Sequence, residues 1–311
     1  MKQWCIGVLM VLTLMTVEAR AKQDNTAAAR FSVVTTVFPA YDFTREIAGS
    51  DVSVSILLPP GAESHSFEPT PQDIIRIQNS ALFICVGGES ESWVERVLSS
   101  MDTSRMRIVR MMDCVQTLEE ELVEGMQAEE EEEEEAAYDE HVWTSPRNTM
   151  RIVERITAAL AALDTQNAVA YQQRAAAYLV ELETLDAAFR NAVASGTRNT
   201  IVFGDRFPFR YLAEEYGLSY FAAFPGCSTE TEASAATVAF LIRKIREEHI
   251  PVIFHIELSN ERMADMISEE TGSAKRLLHA CHNISKRDFD QGRTYLELMN
   301  QNMINLREAL R

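Results

Sequence analysis

The sequence is short of positive charge. Against 29 Lys and Arg stand 47 Asp and Glu, a formal charge of −18 over 311 residues. Such a polyanion is a poor partner for nucleic acid and is repelled by anionic lipid, whereas it attracts cations. Long hydrophobic runs are also missing. The apolar stretch Cys5 to Val17 is too short to cross a bilayer comfortably. With Lys2 ahead of it and the small-x-small site Ala19-Arg20-Ala21 behind, it has the layout of a secretory signal. We therefore expect residues 1–21 to be a signal peptide, the mature chain to carry no membrane span, and the protein to sit in the periplasm or on the extracytoplasmic surface. Cysteine is scarce, with four beyond that segment: Cys85, Cys114, Cys227 and Cys281. An oxidising compartment permits three pairings among them. Cys227 and Cys281 each follow a strand-like run in the C-terminal half and form the favoured disulfide. Cys85 and Cys114 read as small buried hydrophobes. Local zinc motifs such as H-E-x-x-H are absent, and so is any short-period repeat. Chemistry in this chain must come from residues far apart in sequence.

What is present is a steady alternation of short strands and helices. Phe31 to Val37, Val52 to Leu58, Leu82 to Val86 and Arg107 to Met111 read as strands. Between them lie helical segments at Ala40 to Ala48 with Gly49 as its stop, from Pro71 onward, and around Trp93, Val94 and Val97. Ile74, Ile75 and Ile77 are expected to form the buried face of the Pro71 helix. After Pro146 the pattern is helical for a long way, and residues 167 to 193 contain neither Gly nor Pro. Alternation resumes with strands at Thr200 to Phe203, Leu218 to Ala223, Val252 to Ile256 and Arg276 to His279. Helices lie at Phe209 to Tyr216, Ala233 to Glu248, Glu261 to Thr271 and Tyr295 to Leu310.

This order predicts an α/β protein of two domains, each a mainly parallel sheet flanked by helices, joined by a long rigid helix. The expected divisions are an N-terminal α/β domain over 30–165, an interdomain helix over 166–195 and a C-terminal α/β domain over 196–311. Residues 117–140 break the alternation. The unbroken run Glu129 to Glu135 cannot be buried, so an exposed, disordered loop is expected there, either a solvated linker or a loose gatherer of cations.

Four polar positions stand out: His65, His141, Asp205 and His282. Each follows a strand-like run or closes a loop, and two come from each half. His65 sits in the Pro-stiffened turn Gly61 to Pro71, and His141 in Tyr138 to Pro146. In open α/β sheets, ligands bind beyond the carboxyl ends of strands, so two such halves facing each other would gather these groups in a cleft. Three imidazoles and a carboxylate suit Zn²⁺ best, with Mn²⁺ favoured by more carboxylate. Glu257, at its own strand end, competes with Asp205 as the carboxylate. His249, His255 and His279 are weaker candidates, the first at a helix end and the others inside strand-like runs.

The chain resembles the zinc- and manganese-binding receptors of bacterial ABC importers. The resemblance is carried by Val34-Thr35-Thr36-Val37-Phe38-Pro39 with Tyr41, by Gly61-Ala62-Glu63-Ser64-His65-Ser66-Phe67-Glu68-Pro69, and by Asp139-Glu140-His141-Val142-Trp143 with Pro146. The acidic insert before His141 and the long helix complete it. It implies a monomeric binding protein, not an enzyme, that hands metal to a membrane permease, with His65 and His141 as ligands from the first half. The family's third ligand, usually His or Glu, registers at Arg206, which cannot bind a cation and leaves Asp205 as the nearest donor. The last, usually Asp, falls at His282. A secreted zinc hydrolase with Glu257 as base, or a surface adhesin, are the readings from other classes.

Overall fold

The computed structural model describes residues 31–62, 67–126, 137–228 and 232–311. The expected signal peptide, His65 and the Glu129 to Glu135 run lie outside the described residues.

The first half contains β1 (Ser32–Thr35), α1 (Phe38–Ala48), β2 (Ser53–Ile56), α2 (Pro71–Gln78), β3 (Leu82–Cys85), α3 (Ser92–Ser99) and β4 (Arg107–Arg110). Its four strands pair in parallel in the order β2-β1-β3-β4. Strand side chains alternate between faces, and here both faces are covered. Val33, Leu82 and Ile84 enter the main core with α1, while Val34, Phe83 and Cys85 face a smaller core with Ile77, Trp93 and Leu98. Helix α2 begins with a reciprocal cap between Thr70 and Asp73, with Pro71 in its first turn. Its expected apolar face is a correction: Ile77 is buried but Ile75 is 57% exposed. This two-turn helix buries Ile77 in the smaller core with Val34 and Phe83 of the two central strands, while Ile75 lies off that contact.

Helices α4 (Pro146–Leu163) and α5 (Ala168–Ala194) follow, packed along each other. At 27 residues α5 extends about 40 Å. Its buried apolar positions Tyr171, Ala175, Tyr178, Leu182, Leu185, Phe189 and Ala192 step alternately by four and three, with Asp186 buried beside them, so one narrow seam faces α4, α1 and the C-terminal helix.

The second half contains β5 (Thr200–Phe203), β6 (Arg206–Phe207), α6 (Arg210–Tyr216), β7 (Ser219–Phe221), β8 (Phe224–Pro225), α7 (Ala235–Glu248), β9 (Val252–His255), α8 (Arg262–Thr271), β10 (Ala274–Leu277), α9 (Lys286–Asp290) and α10 (Tyr295–Ala309). Its main sheet is also parallel, ordered β10-β9-β5-β7, and β6 pairs with β8 beside it. Gly217 ends α6 in a left-handed conformation, φ 66°.

The chain then returns to the first half. The Tyr295 N–H donates to Asp42 Oδ2 at 2.8 Å, its ring meets Phe43 edge-on at 4.9 Å, and its hydroxyl donates to the Trp143 carbonyl at 2.7 Å. Burial raises the Asp42 pKa to about 6, against the opposing pull of that backbone bond and of Arg45.

Two further expectations are corrected. All four cysteines are free, so Cys227 and Cys281 form no disulfide. Cys281 is locked in the main core, with its Sγ 3.6 Å from the His279 carbonyl, whereas Cys227 donates its N–H to Glu120 Oε1 at 2.8 Å. The ends of the acidic insert are also ordered rather than loose. Glu119 bridges Tyr138, Leu118 N–H donates to the Tyr211 hydroxyl, and Asp139 and Glu140 are buried. Among the described residues no helix is long and apolar enough to cross a membrane.

Candidate metal centre

Between the two sheets lies a cavity of about 30 Å³ whose walls include Ala62, His141, Arg206, Glu257, His282 and Asn283. Most of these residues reach it from loops that follow a strand or precede a helix, as parallel topology favours, while Arg206 comes from the short strand β6.

His141 precedes a 3-10 turn, Val142–Thr144, that leads into α4. It is 1% exposed. Asp139 Oδ1 accepts its backbone N–H at 2.7 Å and lies 3.3 Å from its Nδ1. A carboxylate on Nδ1 fixes the ring and leaves Nε2 to meet a ligand. Burial pulls the His141 pKa down, but the charge and hydrogen bond of Asp139, with Glu140 and Glu120 behind, outweigh it and hold the pKa above the ordinary value. Glu140 is itself clamped in the first half: its carboxylate accepts from the backbone N–H of Ser90 at 2.8 Å and from the Ser90 hydroxyl. The approach requires Gly88, since a Cβ there would lie 2.2 Å from Glu140 Cδ.

His282 stands 5.2 Å from His141 between ring centroids, and 5.1 Å from Trp143. Its main chain is held from both halves, with its N–H donating to Glu257 Oε1 at 3.2 Å and its carbonyl accepting from Phe38 N–H at 3.3 Å. The preceding Cys281 is buried with φ 61°, a conformation rare outside glycine, and its N–H donates to His279 Nδ1. Trp143 Nε1 donates to the Ala280 carbonyl at 2.7 Å. This turn is over-determined by its neighbours and aims the next residue toward the cavity.

Asp205 lies near the cavity but is not among its wall residues. Its Oδ1 accepts from Arg206 N–H at 2.9 Å and its Oδ2 from Ile256 N–H at 3.3 Å. Arg206 does line the cavity, and its Nη1 donates to the Ser228 carbonyl at 3.2 Å. Glu257 also lines it, with Oε2 accepting from Ala280 N–H at 2.6 Å. Ala62, three residues before His65, is stitched to the opposite wall: Asn283 Nδ2 donates to the carbonyls of Pro59 and Ala62, each at 2.8 Å.

The structure thus brings His141 and His282 together, sets Asp205 beside them with its oxygens turned to backbone amides, and places the start of the His65 loop on the wall. Among the described residues, no three His, Cys, Asp or Glu side chains are grouped as a metal-holding cluster. Sequence reasoning missed Asn283 as a clamp and Asp139 as the orienting partner of His141. For Asp139 the signal was the D-x-H spacing, which lets one carboxylate reach both the backbone and ring nitrogens.

Residues 33–309 match the family described as zinc-uptake complex component A, periplasmic (ZnuA). The chain belongs to this family. The high-affinity zinc uptake system protein ZnuA of Bacillus subtilis is 30% identical over 99% of this chain and 98% of that protein. The zinc-binding lipoprotein AdcA of Streptococcus pneumoniae R6 is 29% identical over 91% of this chain, which spans only 56% of AdcA's length. Among solved structures, the metal-dependent lipoprotein YcdH of Bacillus subtilis superposes with a TM-score of 0.78 at 30% identity, covering 91% of this chain and all of the other. The Zn(II)-bound ZnuA-like domain of pneumococcal AdcA gives 0.75 at 28%, covering 90% and 98%. The fold class and the family resemblance expected from the sequence are both confirmed.

Proposed function

We propose that this protein is an extracytoplasmic receptor that captures Zn²⁺ and delivers it to a membrane ABC importer. The observation that carries the reading is the pair of buried imidazoles, 5.2 Å apart in a small cavity between two sheets, one of them oriented by a carboxylate. Neutral imidazoles suit Zn²⁺ over the harder Mn²⁺, which remains the secondary cargo. The proposed ligands are His65, His141 and His282, with a carboxylate from Asp205 or Glu257 swinging off its backbone amides. The domains 30–165 and 196–311 face each other across this site, with 166–195 as the connecting rod. The chain acts as a monomer and releases its cargo to a permease. It binds and does not catalyse: a receptor fills the ion's coordination shell and leaves no position for an activated water.

Titrating the metal-free protein with Zn²⁺ and Mn²⁺ by calorimetry tests this. Tight binding of Zn²⁺, lost in His65→Ala and in His141→Ala, is the expected result. Failure to bind either ion tightly overturns it. Loss of affinity in Glu257→Gln but not in Asp205→Ala assigns the carboxylate to Glu257, and the reverse assigns it to Asp205.

A further inference from the structure

A second cavity, of about 380 Å³, opens where the start of α4 meets α6 and the first residues of the acidic insert, and it shares no wall residue with the metal cavity. Ser145, Asn148 and Arg151 line it, and their spacing by three sets them on one face of α4. Leu118 and, from α6, Tyr211, Glu214 and Glu215 join them in the wall. Two of these side chains are uncommitted. Asn148 is only 9% exposed, and its backbone N–H donates to the Ser145 hydroxyl at 3.3 Å, yet its carboxamide makes no hydrogen bond to any described residue. The Arg151 guanidinium likewise has no ion pair or hydrogen bond with a described residue. The rest of the wall is engaged. Glu214 is held by Arg210 Nη1 at 3.2 Å, and Glu215 by Arg147 Nε and Arg190 Nη2, each at 3.2 Å. The Tyr211 hydroxyl accepts from Leu118 N–H at 3.1 Å and donates to the Asp139 carbonyl at 2.7 Å. A carboxamide buried this far is costly unless an occupant of the cavity pairs with it.

We propose that this cavity is a second ligand site, separate from the metal centre, that takes a small organic carboxylate bearing an adjacent amide. Arg151 receives the carboxylate, since a guanidinium offers two parallel N–H donors to its two oxygens. Asn148 pairs with the amide, because its carboxamide both donates and accepts, as an amide does. The start of α4 adds favourable partial positive charge for an anion, and Leu118 supplies an apolar contact for the body of the ligand. The volume lies within the range of small-molecule pockets, about 300–1,000 Å³. It is room on the order of a dozen water-sized bodies, enough for an acylated amino acid. The wall combines α4 with α6, so an occupant touches both halves of the chain.

The test titrates the full chain with N-acetylglycine, which carries one carboxylate and one amide, and follows binding by ligand-observed NMR. Saturable binding is expected, about tenfold weaker in Arg151→Gln. Arg151 is exposed and uncommitted, so this variant should fold as the parent does, which its melting curve checks. N-acetylglycine methyl ester, which lacks the negative charge, should bind at least tenfold more weakly than the acid. Acetate, which lacks the amide, should bind more weakly than N-acetylglycine to the parent, and Asn148→Ala should remove that difference. No saturable binding of N-acetylglycine overturns the proposal and leaves the cavity to water. Equal binding of the acid and its ester, or equal binding by parent and Arg151→Gln, overturns it as well. None of these readings uses a metal, so the outcome is independent of the zinc-receptor reading.

Discussion

Replacing Asp139 by Asn tests how the first-half imidazole is prepared for a metal. The amide oxygen of Asn can still accept the His141 backbone N–H, now made at 2.7 Å, so the turn into α4 should keep its shape. What is lost is the negative charge 3.3 Å from His141 Nδ1. Removing a carboxylate that orients a metal-binding histidine typically weakens metal affinity about 10–100-fold, or about 1.4–2.7 kcal/mol. The pH dependence should move the other way. In the parent protein the acidic neighbours hold the His141 pKa above its ordinary value, so protons compete with metal as pH falls through that raised value. Without Asp139 the opposing effect of burial gains ground and the pKa falls. The variant should bind zinc more weakly at neutral pH, yet lose that binding at a lower pH than the parent. Calorimetric or chelator-competition titrations at a series of pH values read both effects. An affinity within twofold of the parent with an unmoved pH midpoint would refute the reasoning.

Two other perturbations probe the scaffold. Glu91 is buried, and burial is the main cause of a pKa raised to about 7 from 4.5, despite hydrogen bonds from Gly87 and Val86. A carboxylate whose folded pKa is raised binds its proton more tightly when folded, so its stability contribution is gained as pH falls from about 7 toward 4.5 and lost as pH rises. Glu91→Gln should therefore raise the melting temperature at pH 8 and lose that advantage by pH 5; a constant difference across this range would count against the assignment. Leu182 lies fully buried in the middle of the α5 seam, and Leu182→Ala should cost about 2–5 kcal/mol in urea denaturation. A loss under 1 kcal/mol would mean that the seam does not hold the halves to the helix.

Much of the fold was legible because parallel strands buried on both faces read as short β-branched runs, and Pro and Gly mark where helices start and stop. Helix α5 was legible through its lack of either. The two-residue strands β6 and β8 were not, since two residues carry no period. The error at Ile75 came from treating every apolar position in a two-turn helix as buried. The disulfide failed because nearness to a strand end says nothing about the distance and direction of the Cβ atoms, which decide whether a bridge can form. For the site, loop and strand-end placement singled out His141 and His282, whose rings the structure sets 5.2 Å apart. It could not show that Asp205 turns to backbone amides, or that the buried Asp139 and Glu140 find their partners in tertiary contacts. Those depend on side-chain direction, which sequence position leaves open.

The return of the chain after β10 has a mechanical consequence. The two sheets are joined once by α5 and a second time by the strap that runs from His279 to Tyr295, pinned to the first half at Phe38, Pro59, Ala62 and Asp42. Two bodies with one connection can swing like a door. Two bodies with a rod and a strap at different points behave more like a four-bar linkage, able to twist or shear by small amounts but not to gape. His282 rides on the strap rather than on either body. Any movement that draws His282 away from His141 must therefore also break the strap's hydrogen bonds at Phe38, Pro59 and Ala62.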